Sequence, residues 1–245
     1  MLLYYITDRA AFAGDEPARR RQLLDKIAEA ARCGVDYIQL REKDLSPREL
    51  ERLACEAIDA VAKAQQLTTG HRRLATALLI NSRTDVALAA GADGVHLRSD
   101  DMPPQEARQI WQGGAGSRSA GSGQAPAGEN SPRSPVIAVS CHSLVDVAQA
   151  AANAADFAVF APVFEKKDYP GAGSAGLDML GEACRAGIPV LALGGITLEN
   201  AQSCFDAGAA GIAAIRLFQE NDIATVVETL RGVTPSISRS SSEPA

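Results

Sequence analysis

The run Tyr37-Ile38-Gln39-Leu40-Arg41-Glu42-Lys43-Asp44 changes character halfway: Asp36 to Leu40 reads as a buried strand, and the next four residues are all charged. Side chains alternate across a strand, so Gln39, Arg41 and Lys43 fall on one face. One amide and two cations on a common face suit a polar heterocycle that carries phosphate, because Arg presents a planar fork to phosphate oxygens and Lys a compact charge. The competing reading is a solvated strand end whose cations pair with Glu42 and Asp44, which contributes little in water. Histidine offers a second chemistry. His142, in Ser140-Cys141-His142-Ser143, has an imidazole suited either to proton transfer near neutral pH or to capping a helix beside Ser143. His96, inside Val95-His96-Leu97, reads as a packed, hydrogen-bonded core residue, and His71 as exposed loop. None of the five cysteines has a base or metal partner at a recognisable spacing, and Cys141, expected near the C-terminal end of a strand, is the one candidate among them.

Such side chains need a scaffold that gathers strand ends. Short apolar runs alternate with helical segments almost throughout the 245 residues. Strands are expected at Leu2–Thr7, Asp36–Arg41, Ala77–Asn81, Gly94–Leu97, Val136–Ser140, Phe157–Val163, Val190–Leu193 and Gly211–Arg216. The first helix spans about Glu16–Cys33 with Gly34 as C-cap, Ser46-Pro47 opens the second, and Thr84–Ala90 and Pro103–Gln112 follow. Ser143–Ala152, Leu177–Ala186, Leu198–Ala207 and Ile223–Leu230 complete the series. Eight strand-helix units in a chain near the roughly 250 residues of an α/β barrel predict one closed TIM (β/α)8 barrel. Apolar residues make up 46% and aromatics only 4%, so the interior is expected to rest on Ala, Val, Leu and Ile. In a parallel barrel the C-terminal strand ends share one mouth, which would bring Gly194-Gly195 and Ile215-Arg216 to the place where barrels hold phosphate. A plain strand-to-loop turn also accounts for the glycine pair.

The barrel is expected over residues 1–233. Gly113–Pro135, rich in Gly, Ser, Ala and Pro, reads as a disordered insertion at the end opposite the mouth, and residues 234–245 read as a disordered tail. A net charge of −6 argues against nucleic acid or an anionic membrane as partner. No apolar run reaches the roughly 18 residues a membrane span needs. With no signal peptide before Leu2 and no paired cysteine spacing, a cytoplasmic location is expected, and assembly into a homo-oligomer stays open.

Several motifs occur in order along the chain: Tyr37 to Asp44, Ile80-Asn81, Asp85 to Leu97, Val139 to Leu144, Pro162 to Phe164, Leu193 to Ile196 and Gly208 to Ala213. Together they resemble the thiamine phosphate synthase and TenI superfamily. The resemblance implies joining of a hydroxymethylpyrimidine diphosphate to a thiazole phosphate, with thiamine phosphate and pyrophosphate as products. It also implies ionisation to a pyrimidine cation, which the thiazole nitrogen captures. Arg41 and Lys43 match positions that neutralise the leaving group, Gln39 and Asn81 positions that hold the aminopyrimidine, and Ser140 a contact to the pyrimidine diphosphate. Asp101 matches a magnesium ligand, so Mg2+ is the implied cofactor.

Three departures stand out. Ser82 replaces the aspartate that synthases carry after Asn81, which removes one implied magnesium carboxylate. Glu165-Lys166-Lys167-Asp168-Tyr169 replaces a Thr-x-Thr-Lys run, leaving Lys166 and Lys167 as point charges for the diphosphate. Arg216 replaces a small hydroxyl residue and either grips the thiazole phosphate or fills its pocket. The context of His142 resembles TenI-type thiazole tautomerases, which gives a second reading, and a barrel that binds thiazole or thiamine phosphate without turnover is a third.

Overall fold

The computed structural model describes residues 1–67, 75–117, 134–165 and 173–232. Eight parallel strands close into a barrel in sequence order. They are β1 (Leu2–Ile6), β2 (Tyr37–Leu40), β3 (Ala77–Asn81), β4 (Gly94–Leu97), β5 (Val136–Cys141), β6 (Phe157–Phe160), β7 (Val190–Ala192) and β8 (Gly211–Ala214). Outside them lie helices α1 (Glu16–Arg32), α2 (Pro47–Gln66), α3 (Thr84–Ala90), α4 (Pro104–Ser117), α5 (Leu144–Ala152), α6 (Gly176–Ala183), α7 (Ala201–Asp206), α8 (Arg216–Gln219) and α9 (Ile223–Gly232). The expected TIM barrel is therefore the observed fold. Five strands end earlier than expected: β1 stops at Ile6, β2 at Leu40, β6 at Phe160, β7 at Ala192 and β8 at Ala214. Helix α4 runs five residues past Gln112, and residues 118–133 and 233–245 lie outside the described residues.

Helix starts follow their capping chemistry. Ser46 and Glu49 bond reciprocally at the start of α2, with Pro47 at its first turn, and Ser143 and Asp146 do the same at α5. Helix ends share a different device. Gly34, Gly91, Ala154 and Gly208 follow α1, α3, α5 and α7 with φ of 78°, 75°, 57° and 100°, the left-handed turn that sends the chain back toward the sheet. After three of these turns stands an aspartate that accepts a backbone N–H from the preceding strand. Asp36 accepts from Leu3 at 2.8 Å, Asp93 from Leu78 at 2.8 Å and Asp156 from Ile137 at 2.7 Å. In the fourth unit the corresponding residue is Ala210.

Apolar packing forms two layers. The larger lies between the strands and the helices, built on residues such as Leu23, Leu53, Ile80, Leu180 and Phe218. The smaller fills the barrel itself with Tyr4, Ile6, Leu79, Ala138, Phe157, Val159, Leu191 and Ala213. The expectation of an aliphatic interior holds for the outer layer and fails inside the barrel. Tyr4, Tyr37 and Phe157 meet there with ring centroids 4.8 to 5.9 Å apart. The few aromatics are concentrated where a wide barrel needs bulk near its axis.

Candidate active site

Above that aromatic plug the inward face turns polar. Strand parity sets the order: Tyr37 and Gln39 on β2 with Arg41 just past its end, Leu79 and Asn81 on β3, Gly94 and His96 on β4 with Arg98 just past its end, Ala138 and Ser140 on β5. Cα pairing sets Asn81 beside His96 and Ser140 beside Val159. Gln39 is buried, and its Nε2 donates to Asn81 Oδ1 at 2.8 Å. This leaves the Gln39 carbonyl oxygen and the Asn81 amide N–H groups to meet a ligand with both donors and acceptors.

His96 sits deeper. Nδ1 lies 3.0 Å from the Tyr4 hydroxyl and Nε2 lies 2.7 Å from Ser140 Oγ. Burial, with Arg41 nearby and Asp101 opposing, holds the imidazole down at about 3, so it is neutral at ordinary pH. Its tautomer follows from satisfaction of buried groups. Tyr4 is fully buried and has no other hydroxyl partner among the described residues, so it must donate to Nδ1. Nε2 then carries the proton and donates to Ser140, whose own hydroxyl hydrogen is released toward the mouth. His96 is thus a buried, hydrogen-bonded residue, as its strand position predicts.

The four charges after β2 divide by parity. Glu42 and Asp44 turn back to Arg9, on a single turn of 3-10 helix, Arg9–Ala11, that follows β1. Arg9 Nη1 bonds Glu42 at 3.2 Å, its Nη1 and Nη2 grip Asp44 at 2.7 and 2.8 Å, and its Nε bonds Glu16 at 2.7 Å. Thr7 ties the strands further by donating to Glu42 at 2.6 Å and accepting from Arg41 N at 3.0 Å. The Arg9 guanidinium holds the Asp44 carboxyl below the usual carboxylate range. The alternative reading, in which Arg41 and Lys43 pair with Glu42 and Asp44, therefore fails, because a distant arginine takes both carboxylates. Arg41, then partial burial and Arg98, depress Lys43, so the three cations share one electrostatic neighbourhood.

Arg98 escaped the sequence reading. The alternation that links Gln39 to Arg41 also links His96 to Arg98. Its backbone N–H donates to Asp101 Oδ2 at 2.8 Å, and Nε and Nη2 donate to Oδ1 at 3.2 and 2.9 Å. Ser82 stands beside Asp101 close enough to help lower its pKa, yet its Oγ is outside hydrogen-bond geometry and is buried without a partner. Ser82 also has φ of 56°, a left-handed conformation uncommon for serine. Magnesium was implied at Asp101. Both oxygens of that carboxylate are engaged by Arg98, the second carboxylate position is Ser82, and no cluster of three His, Cys, Asp or Glu suited to a metal occurs among the described residues. This donor set does not fit a magnesium site built by the protein.

His142 is exposed, and its Nδ1 lies 2.8 Å from the Ala161 carbonyl oxygen. A carbonyl only accepts, so Nδ1 carries the proton and Nε2 presents a lone pair when the ring is neutral. Ser143, not His142, caps α5. Burial pushes the Cys141 thiol up to about 12, which removes it as a nucleophile. Lys166, Lys167 and His71 lie outside the described residues.

Just after β7, Gly194 and Gly195 have φ of 102° and 64°. A Cβ on Gly194 would come within 2.7 Å of Pro162, and one on Gly195 within 2.7 Å of the Glu165 carbonyl oxygen. The chain after β6 lies directly on this turn, with Phe164 N donating to Gly194 O at 3.0 Å. Glycine is therefore required here by backbone conformation and by the neighbouring loop. Ile215 packs on the barrel interior, and Arg216 is exposed at the first position of α8. All these positions follow C-terminal strand ends, so they open on the same mouth as Arg41.

Comparison with known proteins agrees with this architecture. The family model described as thiamine monophosphate synthase matches residues 3–115 and 123–218, so it breaks within the Gly- and Ser-rich stretch. The thiamine-phosphate synthase of Chlorobium luteolum is 37% identical over 196 residues, 78% of this chain and 77% of the relative. That of Methanoculleus marisnigri is 34% identical over 234 residues, 94% of this chain and 93% of the relative. Among solved structures, thiamine phosphate pyrophosphorylase from Pyrococcus furiosus superposes with a TM-score of 0.69 at 26% identity, covering 95% and 94% of the two chains. The chain belongs to the thiamine monophosphate synthase family.

Proposed function

We propose that the protein is a thiamine phosphate synthase, condensing hydroxymethylpyrimidine diphosphate with thiazole phosphate to give thiamine phosphate and pyrophosphate. The observation that carries this reading is the bonded amide pair Gln39–Asn81 directly below the cations Arg41, Lys43 and Arg98. The amides hold the aminopyrimidine ring, and the cations receive the diphosphate. As the C–O bond to the diphosphate breaks, its electron pair leaves with oxygen and positive charge develops on the pyrimidine methylene. The thiazole nitrogen then donates its lone pair to that carbon. The protein's main task is to stabilise charge on the departing diphosphate, since the bond-forming step needs no proton removed. Ser140 donates its hydroxyl to a substrate oxygen because His96 and Tyr4 fix the direction of its proton. Gly194, Gly195, Ile215 and Arg216 face the thiazole phosphate, and Lys166 and Lys167 supply further cations to the diphosphate.

The test is to incubate purified protein with both substrates and follow thiamine phosphate. Arg41→Ala is expected to lower kcat/KM by about 10²- to 10³-fold, the usual cost of losing a group that stabilises transition-state charge. His142→Ala should leave turnover within about threefold of wild type, well under the effect of a lost general base. One observation favours a second reading, a thiazole tautomerase: the Nε2 lone pair of His142 faces away from its Ala161 anchor. Conversion of a thiazole carboxylate phosphate that is lost in His142→Ala, without any thiamine phosphate, would establish that reading instead. Ligand-induced rises in melting temperature without either reaction would mark a binding protein.

A further inference from the structure

Arg98 occupies a position where charge must be supplied to the diphosphate, and the residues around it are arranged for a protein cation. It follows His96 by two residues at the end of β4, so it rises from the same inward face. Three contacts bind it to Asp101 at 2.8 to 3.2 Å, and Asp100 lies 3.5 Å away at the outer side. Arg41 and Lys43 complete the group. A divalent ion entering here would meet three cations, and both oxygens of the carboxylate it needs are already engaged by Arg98, Oδ1 by the guanidinium and Oδ2 by the backbone N–H. Half-buried Ser82, its Oγ buried beside Asp101, offers one neutral oxygen where a second carboxylate would have paired with Asp101 to hold such an ion. The loss of a carboxylate at Ser82 and the presence of a guanidinium at Arg98 both change the local charge in the same direction.

We propose that Arg98 is a diphosphate-binding residue that takes the place of a divalent cation, so that this mouth neutralises its polyanionic ligand with side chains alone. Asp101 then acts as a positioning residue, holding the guanidinium fork with its outer N–H groups toward the phosphate oxygens. The inference rests on the synthase reading for the identity of the ligand and on the Arg98–Asp101 geometry for the mode of binding.

Calorimetric titration with inorganic pyrophosphate, in EDTA and in magnesium, tests it, with thiamine phosphate formation measured under the same two conditions. Wild type is expected to bind pyrophosphate and turn over in EDTA within about twofold of its values in magnesium. Arg98→Gly should weaken binding in EDTA by about tenfold or more, the range of a lost charge-assisted contact, while Arg98→Lys retains an intermediate affinity. The double variant Ser82→Asp/Arg98→Gly should recover affinity only with magnesium. Wild-type binding or turnover that collapses in EDTA would overturn the proposal and leave the synthase reading intact. So would Arg98→Gly binding pyrophosphate like wild type with a matching melting temperature. Pyrophosphate binding that is EDTA-insensitive and Arg98-dependent, without thiamine phosphate from any form, would support the role of Arg98 and refute the synthase reading.

Discussion

At the lower rim of the barrel Asp36, Asp93 and Asp156 each spend a carboxylate on a backbone N–H of the neighbouring strand, at 2.7 to 2.8 Å. At the upper rim Arg41, Lys43 and Arg98 project toward a common opening, and of these only Arg98 is ion-paired among the described residues. The contrast teaches how one chain divides its charges. Charges at strand starts satisfy orphan backbone donors and secure the closure of the sheet, and charges at strand ends remain available to a ligand. Arg9 marks the boundary between the two uses. It lies at the upper rim but works like a lower-rim residue, removing Glu42 and Asp44 from the vicinity of Arg41 and Lys43.

Breaking that boundary should have the largest effect. Arg9→Ala leaves Glu42 buried without its guanidinium and is expected to cost roughly 3–5 kcal/mol of folding stability. Chemical denaturation measures it, and Arg9→Ala/Glu42→Gln should recover part of the loss; an unchanged midpoint would show that the network contributes nothing net. Next comes Asp93→Ala, which strands the buried Leu78 N–H at the lower rim. A loss of about 1–3 kcal/mol is expected, with kcat/KM per folded molecule unchanged. Lost turnover at full stability would erase the division between the rims.

The pH dependence is a smaller effect. Above about pH 6.5 His96 is neutral whether the chain is folded or not. Below that, the unfolded chain takes up a proton that the folded chain refuses until about pH 3, so stability must fall as pH drops through this window. His96→Asn should lower stability at pH 7 yet flatten its decline between about pH 6.5 and 5, where carboxylates still titrate little. A slope equal to that of wild type would mean that His96 is not the group responsible. The smallest change is at the lower rim. Ala154 holds φ of 57° where Gly34, Gly91 and Gly208 stand in the other units. Ala154→Gly should stabilise the protein by roughly 0.5 kcal/mol, the left-handed penalty of alanine less the added chain entropy of glycine. A lower melting temperature would contradict that reading of the turn.

Much of this was legible locally. Alternation after Tyr37 predicts which of Gln39, Arg41 and Lys43 share a face, and the eight apolar runs predict the barrel. Arg98 was equally legible, since the same count by twos from His96 reaches it. What stayed hidden depends on partners far along the chain. Arg9 reaches Glu42 and Asp44 across more than thirty residues, and Tyr4 reaches His96 across 92, so no local pattern announces either bond. The glycine pair at 194 and 195 illustrates a related limit. Its local sequence suits an approaching anion, but the structure adds crowding from Pro162 and Glu165 that would demand glycine even without a ligand.

The most direct test is a crystal structure of the protein with hydroxymethylpyrimidine diphosphate bound. The ring should lie against Gln39 and Asn81, with diphosphate oxygens within hydrogen-bond reach of Arg41, Lys43 and Arg98. A ligand seated away from the C-terminal strand ends, or a diphosphate that leaves Arg41 untouched, would contradict the assignment of the upper rim as the reactive end.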